Sequence, residues 1–214
     1  MFDQAAMRLL EGAFICESSA PSLFRWLDAE ENRIEVDGYL RKIGRQLTET
    51  PNGHAYYATW VRIGSDERAE VKRVMVTIKQ TVRPVVQFLT LCMDVGQSDN
   101  APSPGDRVDY SHLLISVTEN PHLLEKLREF GSFGKEYAVA DASPKGMLDR
   151  VILQMEKAGY LILLNREQEA YRFTGKLDYY YQLLDFLMEN EADIKTDDQA
   201  DQEVEGSAET RRLL

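Results

Sequence analysis

The stretch over 143–174 limits the possible folds more than any other part of this sequence. Ser143 and Pro144 form a helix start, because serine caps free backbone N–H groups and proline fits the first helical turn. Apolar residues then recur at helical spacing, at positions 147, 148, 151, 152 and 155. Two apolar segments with a polar turn between them follow and predict a β-hairpin, with strands over 160–164 and 170–174. A helix that passes through Gly159 directly into a hairpin predicts a small helical module with a β-wing.

The flanking segments complete this module. Residues 110–117 and 121–130 predict two further helices, and the alternating residues 135–140 predict a short strand. After Gly175 a last helix is expected, with apolar residues over 177–188. The predicted order is helix, helix, strand, helix, strand, strand, which is the order of a winged helix.

The N-terminal part of the chain repeats this plan less cleanly. Its apolar pattern has helical spacing in three places, and the Pro51-Asn52-Gly53 sequence is a tight-turn signal before an aromatic-rich strand. The predicted elements are helices over 3–13 and 22–27, a short strand over 33–36, a third helix from Asp37 to Leu47, and a returning strand over 54–61. The two halves therefore predict a tandem of winged-helix domains.

Between the two copies, residues 65–95 carry a long apolar stripe at helical spacing. Pro84 lies inside it, so a kink or break is expected near Arg83. A small winged helix does not need so long an apolar helix for its own core. The surplus stripe predicts either packing between the two domains or a dimer interface, and both stay open. A linker follows over 97–106.

Negative charge is concentrated at the C-terminal end. The net charge is −11, but residues 189–214 hold nine acidic and three basic side chains, which leaves only −5 for the rest. This end has no aromatic residue and little to bury, so disorder is expected from Asn190 onwards. A solubilising role is favoured for this tail, while competition with DNA or docking on a partner stays open.

The predicted fold class is α+β and mostly helical, with two winged-helix domains, a helical segment between them and an acidic disordered tail. The expected domains are a first winged helix over 1–64, a helical middle segment and linker over 65–106, a second winged helix over 107–189, and the tail over 190–214. No apolar run is long enough to span a membrane and no secretory signal is evident, so a cytoplasmic protein without membrane contact is expected.

No catalytic constellation is evident. No partner at metal-ligand spacing accompanies any of the three histidines, His54, His112 and His122. Cys16 and Cys92 lie far apart in apolar stretches and are expected to be reduced thiols. The expectation is therefore a protein that is not an enzyme and uses neither a metal nor a cofactor.

Basic residues on the predicted third helices are the candidates for nucleic-acid contact, because a winged helix usually reads DNA with that helix. They are Arg41, Lys42 and Arg45 in the first copy and Lys145, Arg150 and Lys157 in the second. Arg41 and Arg45 are four residues apart and would share one helical face. The acidic balance opposes DNA binding by the isolated chain, so contact is expected only within a larger assembly.

Two parts of the sequence carry a family resemblance. Residues 37–47 with 50–58, and 148–161 with 171–175, resemble the two winged-helix domains of MukE-like proteins, and the details are most similar to the MksE family.

That resemblance implies a kite protein, which is a tandem winged-helix accessory subunit of a bacterial SMC condensin. It implies a homodimer bound to a kleisin, an SMC ATPase reached through that kleisin, and a nucleoid-associated role in DNA condensation. Both chromosome segregation and anti-plasmid defence stay open. The alternative is a free-standing winged-helix transcription regulator.

Overall fold

The computed structural model describes residues 1–140 and 142–189, with backbone alone over 65–67, 69–75 and 77–79. Within this part of the chain there are eight α-helices and two three-stranded antiparallel sheets, so the predicted α+β class is confirmed. Met1–Tyr179 form one compact unit, and a second unit begins at Tyr180. The acidic tail predicted from Asn190 lies outside the described residues.

We call the elements up to Trp60 the N-terminal module. They are α1 (Phe2–Leu10), β1 (Ile15–Cys16), α2 (Pro21–Leu27), α3 (Glu30–Arg41), β2 (Arg45–Glu49) and β3 (Ala55–Trp60). The core of this module is formed by apolar side chains that are almost fully buried, Leu9, Ile15, Leu27, Val36 and Leu40 among them.

A 32-residue helix, α4 (Ser65–Gly96), follows. We call the elements from Arg107 to Phe173 the C-terminal module. They are β4 (Arg107–Asp109), α5 (Tyr110–Glu119), α6 (Pro121–Glu129), a 3₁₀ turn (Phe130–Ser132), α7 (Pro144–Lys157), β5 (Leu161–Asn165) and β6 (Ala170–Phe173). The last helix is α8 (Lys176–Glu189).

The two modules share one sheet topology. In each, the first strand pairs with the third, and the third also pairs with the second, giving the orders β1-β3-β2 and β4-β6-β5. All four pairings are antiparallel. The repetition that the sequence predicted as a pattern is therefore present in the strand order.

The C-terminal module follows its predicted helices and hairpin closely. The side chains of Asn120 and Ser143 accept hydrogen bonds from the backbone N–H groups of His122 and Gly146, so both predicted caps are confirmed. The strand predicted over 135–140 is wrong. That segment forms a turn in which Tyr137 is 7 % exposed and packs on Phe130.

The strand that joins the β5–β6 hairpin in this sheet is β4, which pairs with β6. The alternating apolar residues over 135–140 belong to a turn with individual buried side chains, and not to a strand that pairs at the edge of a sheet.

The N-terminal module departs further from the prediction. Residues 33–36, predicted as a strand, lie within α3, and Asp37 lies in the middle of that helix rather than at its start. The helix ends at Arg41, and Gly44 adopts a φ of 74°, which reverses the chain into β2. Glycine tolerates this left-handed conformation without a steric cost. The predicted third helix therefore begins seven residues too late and ends six residues too late.

The helix α4 runs through Pro84 as one element, so a break near Arg83 does not occur, and the alternative of a kink there stays a prediction. Its second half is packed inside the chain: Val85, Phe88 and Leu91 are at most 1 % exposed. Phe88 lies 6.0 Å from Phe173 of β6, measured between ring centres. This half of the apolar stripe therefore belongs to the core of the chain.

Candidate functional site

The basic residues predicted on the third helix of the first winged-helix domain do not lie on one helical face. Arg41 is the last residue of α3, and its Nε donates to Asp37 Oδ2 at 2.6 Å. Lys42 follows it and is exposed. Arg45 lies on β2, where its guanidinium sits 3.2 Å from the ring centre of Trp60, its partner across the strands. The predicted helical pairing of Arg41 with Arg45 is wrong, because Gly44 ends the helix between them.

Asp37 links α3 to the adjoining strand. Its carboxylate accepts from Arg41 and from the backbone N–H of Leu47 at 2.9 Å. Burial by itself raises the pKa of the Asp37 carboxyl, but these hydrogen bonds outweigh it and hold the pKa below its usual value. Arg41 is thus committed to a structural contact, although its side chain remains 55 % exposed.

The three candidates of the second module all lie on α7, as predicted. Lys145 pairs with Asp149 at 3.0 Å and lies 3.3 Å from the Tyr110 hydroxyl. Arg150 is half-buried, and its Nε has no acceptor among the described residues. Lys157 is the last residue of the helix and is exposed.

A joint, as we call it, connects the N-terminal module to the chain between β6 and the start of α8. The Asp178 carboxylate, 3 % exposed, accepts from the backbone N–H of Asn52 at 3.0 Å and lies 3.3 Å from Nδ1 of His54. Burial by itself raises the pKa of Asp178, but hydrogen bonds from Thr50, Asn52 and His54 outweigh it and hold the pKa below its usual value. The hairpin tip of the N-terminal module is therefore bound to the start of α8.

Gly175 lies at the centre of this joint. A Cβ placed there would lie 2.3 Å from the backbone oxygen of His54 and 2.8 Å from the Cβ atoms of Ala55 and Cys16. Those distances are far below van der Waals contact. Glycine at 175 is what allows the end of β6 to approach the first sheet so closely.

Aromatic rings cover the side of the joint. Phe14 stacks on Tyr57 at 4.8 Å between ring centres, and Tyr179 lies 5.2 Å from each of them. Lys176 donates to the carbonyl oxygen of Ala158 at 2.6 Å, and its Nζ lies 5.4 Å from the ring centre of Phe14. Burial lowers the pKa of Lys176. Sequence reasoning missed this joint, because its residues come from separate segments.

Large apolar side chains are exposed mainly in the N-terminal module. Among the described residues of that module, those more than 35 % exposed include Met7, Leu10, Ile34, Tyr39 and Ile43. The C-terminal module exposes Ile115, Leu153 and Leu164.

The described residues contain no group of three or more His, Cys, Asp or Glu side chains arranged to hold a metal ion. Cys16 and Cys92 are both free thiols, and burial raises the pKa of Cys92 to about 12. A cleft of about 590 Å³ separates the end of α4 from β4. Its lining combines apolar residues with polar and charged ones, among them Asp106, Arg107, Asp109 and His112.

A family model described as "Condensin complex protein MksE" matches residues 2–193. The chain belongs to the MksE family. Membership makes it a subunit of a condensin complex, as the resemblance of the sequence predicted. No curated protein matches the chain. Within the part of this MksE-family chain that the structure describes, no helix is long and apolar enough to cross a membrane.

Proposed function

We propose that this MksE-family subunit is a non-catalytic kite protein that binds a kleisin as a homodimer and reaches an SMC ATPase through it. The family match over residues 2–193 carries the proposal. The strand order shared by the two modules supports it, because a kite protein is a tandem of two similar domains.

The proposal assigns a winged helix to each module, with domains over 1–64 and 107–189. In this assignment α3 and α7 are the third helices, and the β2–β3 and β5–β6 hairpins are the wings. The segment over 65–106 connects the two domains, and the acidic tail over 190–214 follows the second. The first wing is unusual, because its tip at Asn52 is bound to Asp178 rather than left open.

The homodimer needs a surface that is not already used inside the chain. The second half of α4 is packed against the C-terminal module, with Phe88 on Phe173 and Asp94 paired with Lys126, so these side chains are not free to form the dimer interface. Among the described side chains of the same helix, Val76 and Val86 are 45 % and 40 % exposed and are candidates for the interface. The exposed apolar residues of the N-terminal module are further candidates.

DNA contact is proposed only for the assembled complex. Among the six candidates, Lys42 and Lys157 are exposed and form no ion pair with a described residue, whereas Arg41 and Lys145 do. We expect Lys42→Glu to weaken DNA binding of the complex and to lower its salt slope by about 1. Lys135→Glu, an exposed lysine outside the third helices, is the matched control.

The test of the proposed function is affinity purification of the tagged chain from its native cells, with the tag alone as control. A long coiled-coil ATPase and a kleisin-like protein should be recovered together. Light scattering of the complex rebuilt from the chain and that kleisin should give two copies of this chain per kleisin.

Recovery of neither protein, with tight promoter binding by the chain alone, would make it a transcription regulator instead. The proposed location is the cytoplasm, on the nucleoid. Loss of the gene should impair either chromosome segregation or the exclusion of plasmids, and this result would choose between the two roles.

A further inference from the structure

Two arginines lie directly opposite each other in the second sheet. Arg107 of β4 is the register partner of Arg172 of β6, and Ile162 of β5 is the partner of Arg172 on its other side. Residues opposite one another in antiparallel strands point to the same face of the sheet, with Cβ atoms about 4.5–5.5 Å apart. We call this side of the sheet, defined by Arg107, Ile162 and Arg172, the arginine face.

The arginine face is turned away from the core of the C-terminal module. Side chains alternate along a strand, so Val108 and Phe173 lie on the other side, where both are buried. On the arginine face itself, Arg107 is exposed, and Ile162 and Arg172 are half-buried. The side chain of Arg107 is 54 % exposed, so another molecule can reach this face.

The guanidinium group of Arg172 has no counter-charge in the described chain. Its Nε atom is buried and has no hydrogen-bond acceptor among the described residues. No ion pair joins Arg172 to a described carboxylate either. Buried donors in folded proteins almost always have an acceptor, and leaving one unmatched costs its desolvation free energy. A water molecule would supply an acceptor but would not balance the charge.

Arg107 is only partly balanced. Its Nη2 atom lies 3.9 Å from Oδ2 of Asp109 and 3.5 Å from Oε1 of Gln168. The other carboxylate oxygen of Asp109 already accepts from the backbone N–H of His112. An ion pair this long between two exposed side chains contributes little. Two guanidinium groups therefore share one nearby described carboxylate, and like charges directly opposite on neighbouring strands destabilise a sheet.

We propose that the arginine face binds the side-chain carboxylate of a glutamate or aspartate from a partner protein, which accepts hydrogen bonds from both arginines. The planar guanidinium group matches a carboxylate at two points, and hydrogen bonds between ionised groups are strong. A carboxylate between Arg107 and Arg172 offsets their repulsion. The unmatched Nε makes the present rotamer of Arg172 costly, so a rotation that brings Nε to the carboxylate relieves that cost as well.

An acidic protein segment fits this face better than nucleic acid does. Asp109 lies beside Arg107, and Glu167 and Glu169 are exposed at the tip of the same hairpin. DNA carries one phosphate charge per about 1.7 Å of helix axis, so a duplex laid along the hairpin would bring phosphates towards these carboxylates. A single acidic side chain avoids them. The inference goes beyond the proposed function, because it gives the second wing a protein partner.

The first test is the melting temperature of the full chain without any partner. Arg172→Met keeps an unbranched side chain but removes the charge and the unmatched donor. It should raise the melting temperature by about 2–4 °C. Arg166→Met is the matched control, because Arg166 is exposed at the hairpin tip and has no arginine opposite it. It should leave the melting temperature within about 1 °C of the wild type. A lower melting temperature for Arg172→Met would overturn the inference, since Arg172 would then stabilise the chain by itself.

The second test is binding of an acidic probe to the full chain, measured by NMR at constant ionic strength. The probe is the peptide acetyl-Gly-Glu-Gly-amide, and its control is the same peptide with glutamine. The Nε–H signal of Arg172, identified by its absence in Arg172→Lys, should shift and saturate with the glutamate peptide but not with the glutamine peptide. Arg107→Gln should weaken this binding about tenfold, whereas Arg166→Gln should not change it.

Inorganic phosphate is titrated in a separate arm. A saturating shift with phosphate and none with the glutamate peptide would overturn the carboxylate and make the face a phosphate site. No saturating shift with either probe would overturn the site altogether. Both tests use the purified chain, so a negative result leaves the proposed condensin role to be decided by the affinity purification.

Discussion

The third helices of the two modules hold equivalent places in the sequence order but are anchored very differently. Five residues of α7 are buried, at positions 147, 148, 151, 152 and 155, whereas only Val36 and Leu40 of α3 are. The helix α7 also has a side-chain cap from Ser143 at its N-terminus, whereas Ala29, at the N-cap position of α3, provides none. A helix that buries five residues at helical spacing can be recognised from its sequence, whereas a helix that buries only two cannot.

The hairpins of the two modules differ in the same way. The tip of the first is bound to Asp178, whereas the tip of the second is closed by its own Asn165, which accepts from the backbone N–H groups of Glu167 and Gln168. The second tip is exposed and is bonded only within its own module among the described residues, through Asn165 and through Gln168 with Arg107. The first tip is part of the joint.

The strongest test of this difference is Gly175→Ala. The added Cβ would overlap the carbonyl oxygen of His54, a backbone atom that cannot move aside easily. We expect the free energy of unfolding to fall by about 3 kcal/mol. The measurement is urea denaturation at fixed protein concentration. Gly38→Ala, where a Cβ meets nothing, should instead raise the free energy of unfolding by about 0.5–1 kcal/mol. Equal effects at both positions would contradict the close approach at Gly175.

The next largest effect is expected from Asp178→Ala. It removes the acceptor for Asn52 and His54 in a buried place, and unmatched buried donors cost about 1–3 kcal/mol. Thermal and urea unfolding should both report this loss. Glu167→Ala at the second hairpin tip should change stability by less than about 0.5 kcal/mol. A Glu167 variant as unstable as the Asp178 variant would mean that the two tips do not differ.

The same carboxylate predicts a dependence on pH. Because the pKa of Asp178 in the folded chain lies below its usual value of 3.8, its contribution is fully present above that value. The contribution is lost as the pH falls through the lowered folded pKa. The stability difference between wild type and Asp178→Ala should therefore be constant near neutral pH and shrink in acid below about pH 4. A difference that grew on acidification would reverse the assigned sign.

The smallest effects concern the helix starts. Ser143→Ala should lower the free energy of unfolding by about 1 kcal/mol, because the N–H of Gly146 loses its acceptor. Ala29→Ser adds a cap to α3 and should raise the free energy of unfolding by about 0.5–1 kcal/mol. Helicity and melting temperature would measure both changes. Together the two variants test whether the N-cap accounts for the difference between α3 and α7.

The sequence predicted the C-terminal module well because its signals were local: a capped proline start, a five-residue stripe and a glycine before the hairpin. It placed Arg45 on a helix because the apolar residues Leu40, Ile43 and Leu47 imitate helical spacing. The turn signal at Pro51 could have corrected this, since a hairpin that ends at that turn needs a strand before it. The strand β4 was missed because three residues carry too little pattern.

The candidate site was predicted less well than the fold. Basic residues can be counted in a sequence, but their ion pairs cannot, so Arg41 and Lys145 were selected with the same weight as Lys42. The joint could not be predicted from spacing at all. Asn52 and Asp178 are 126 positions apart, and a hydrogen bond between them depends on the packing of the whole unit.

The joint also restricts how such a gene can be recombined. A module boundary near residue 64 looks like a natural crossover point, since each half has its own sheet. Yet a hybrid that inherits residues 50–57 from one parent and 175–179 from another would place aromatic rings, a carboxylate and a glycine against a surface to which they do not fit. Viable hybrids should therefore inherit these two segments from the same parent. Substitutions in one segment of the joint should be accompanied by substitutions in the other.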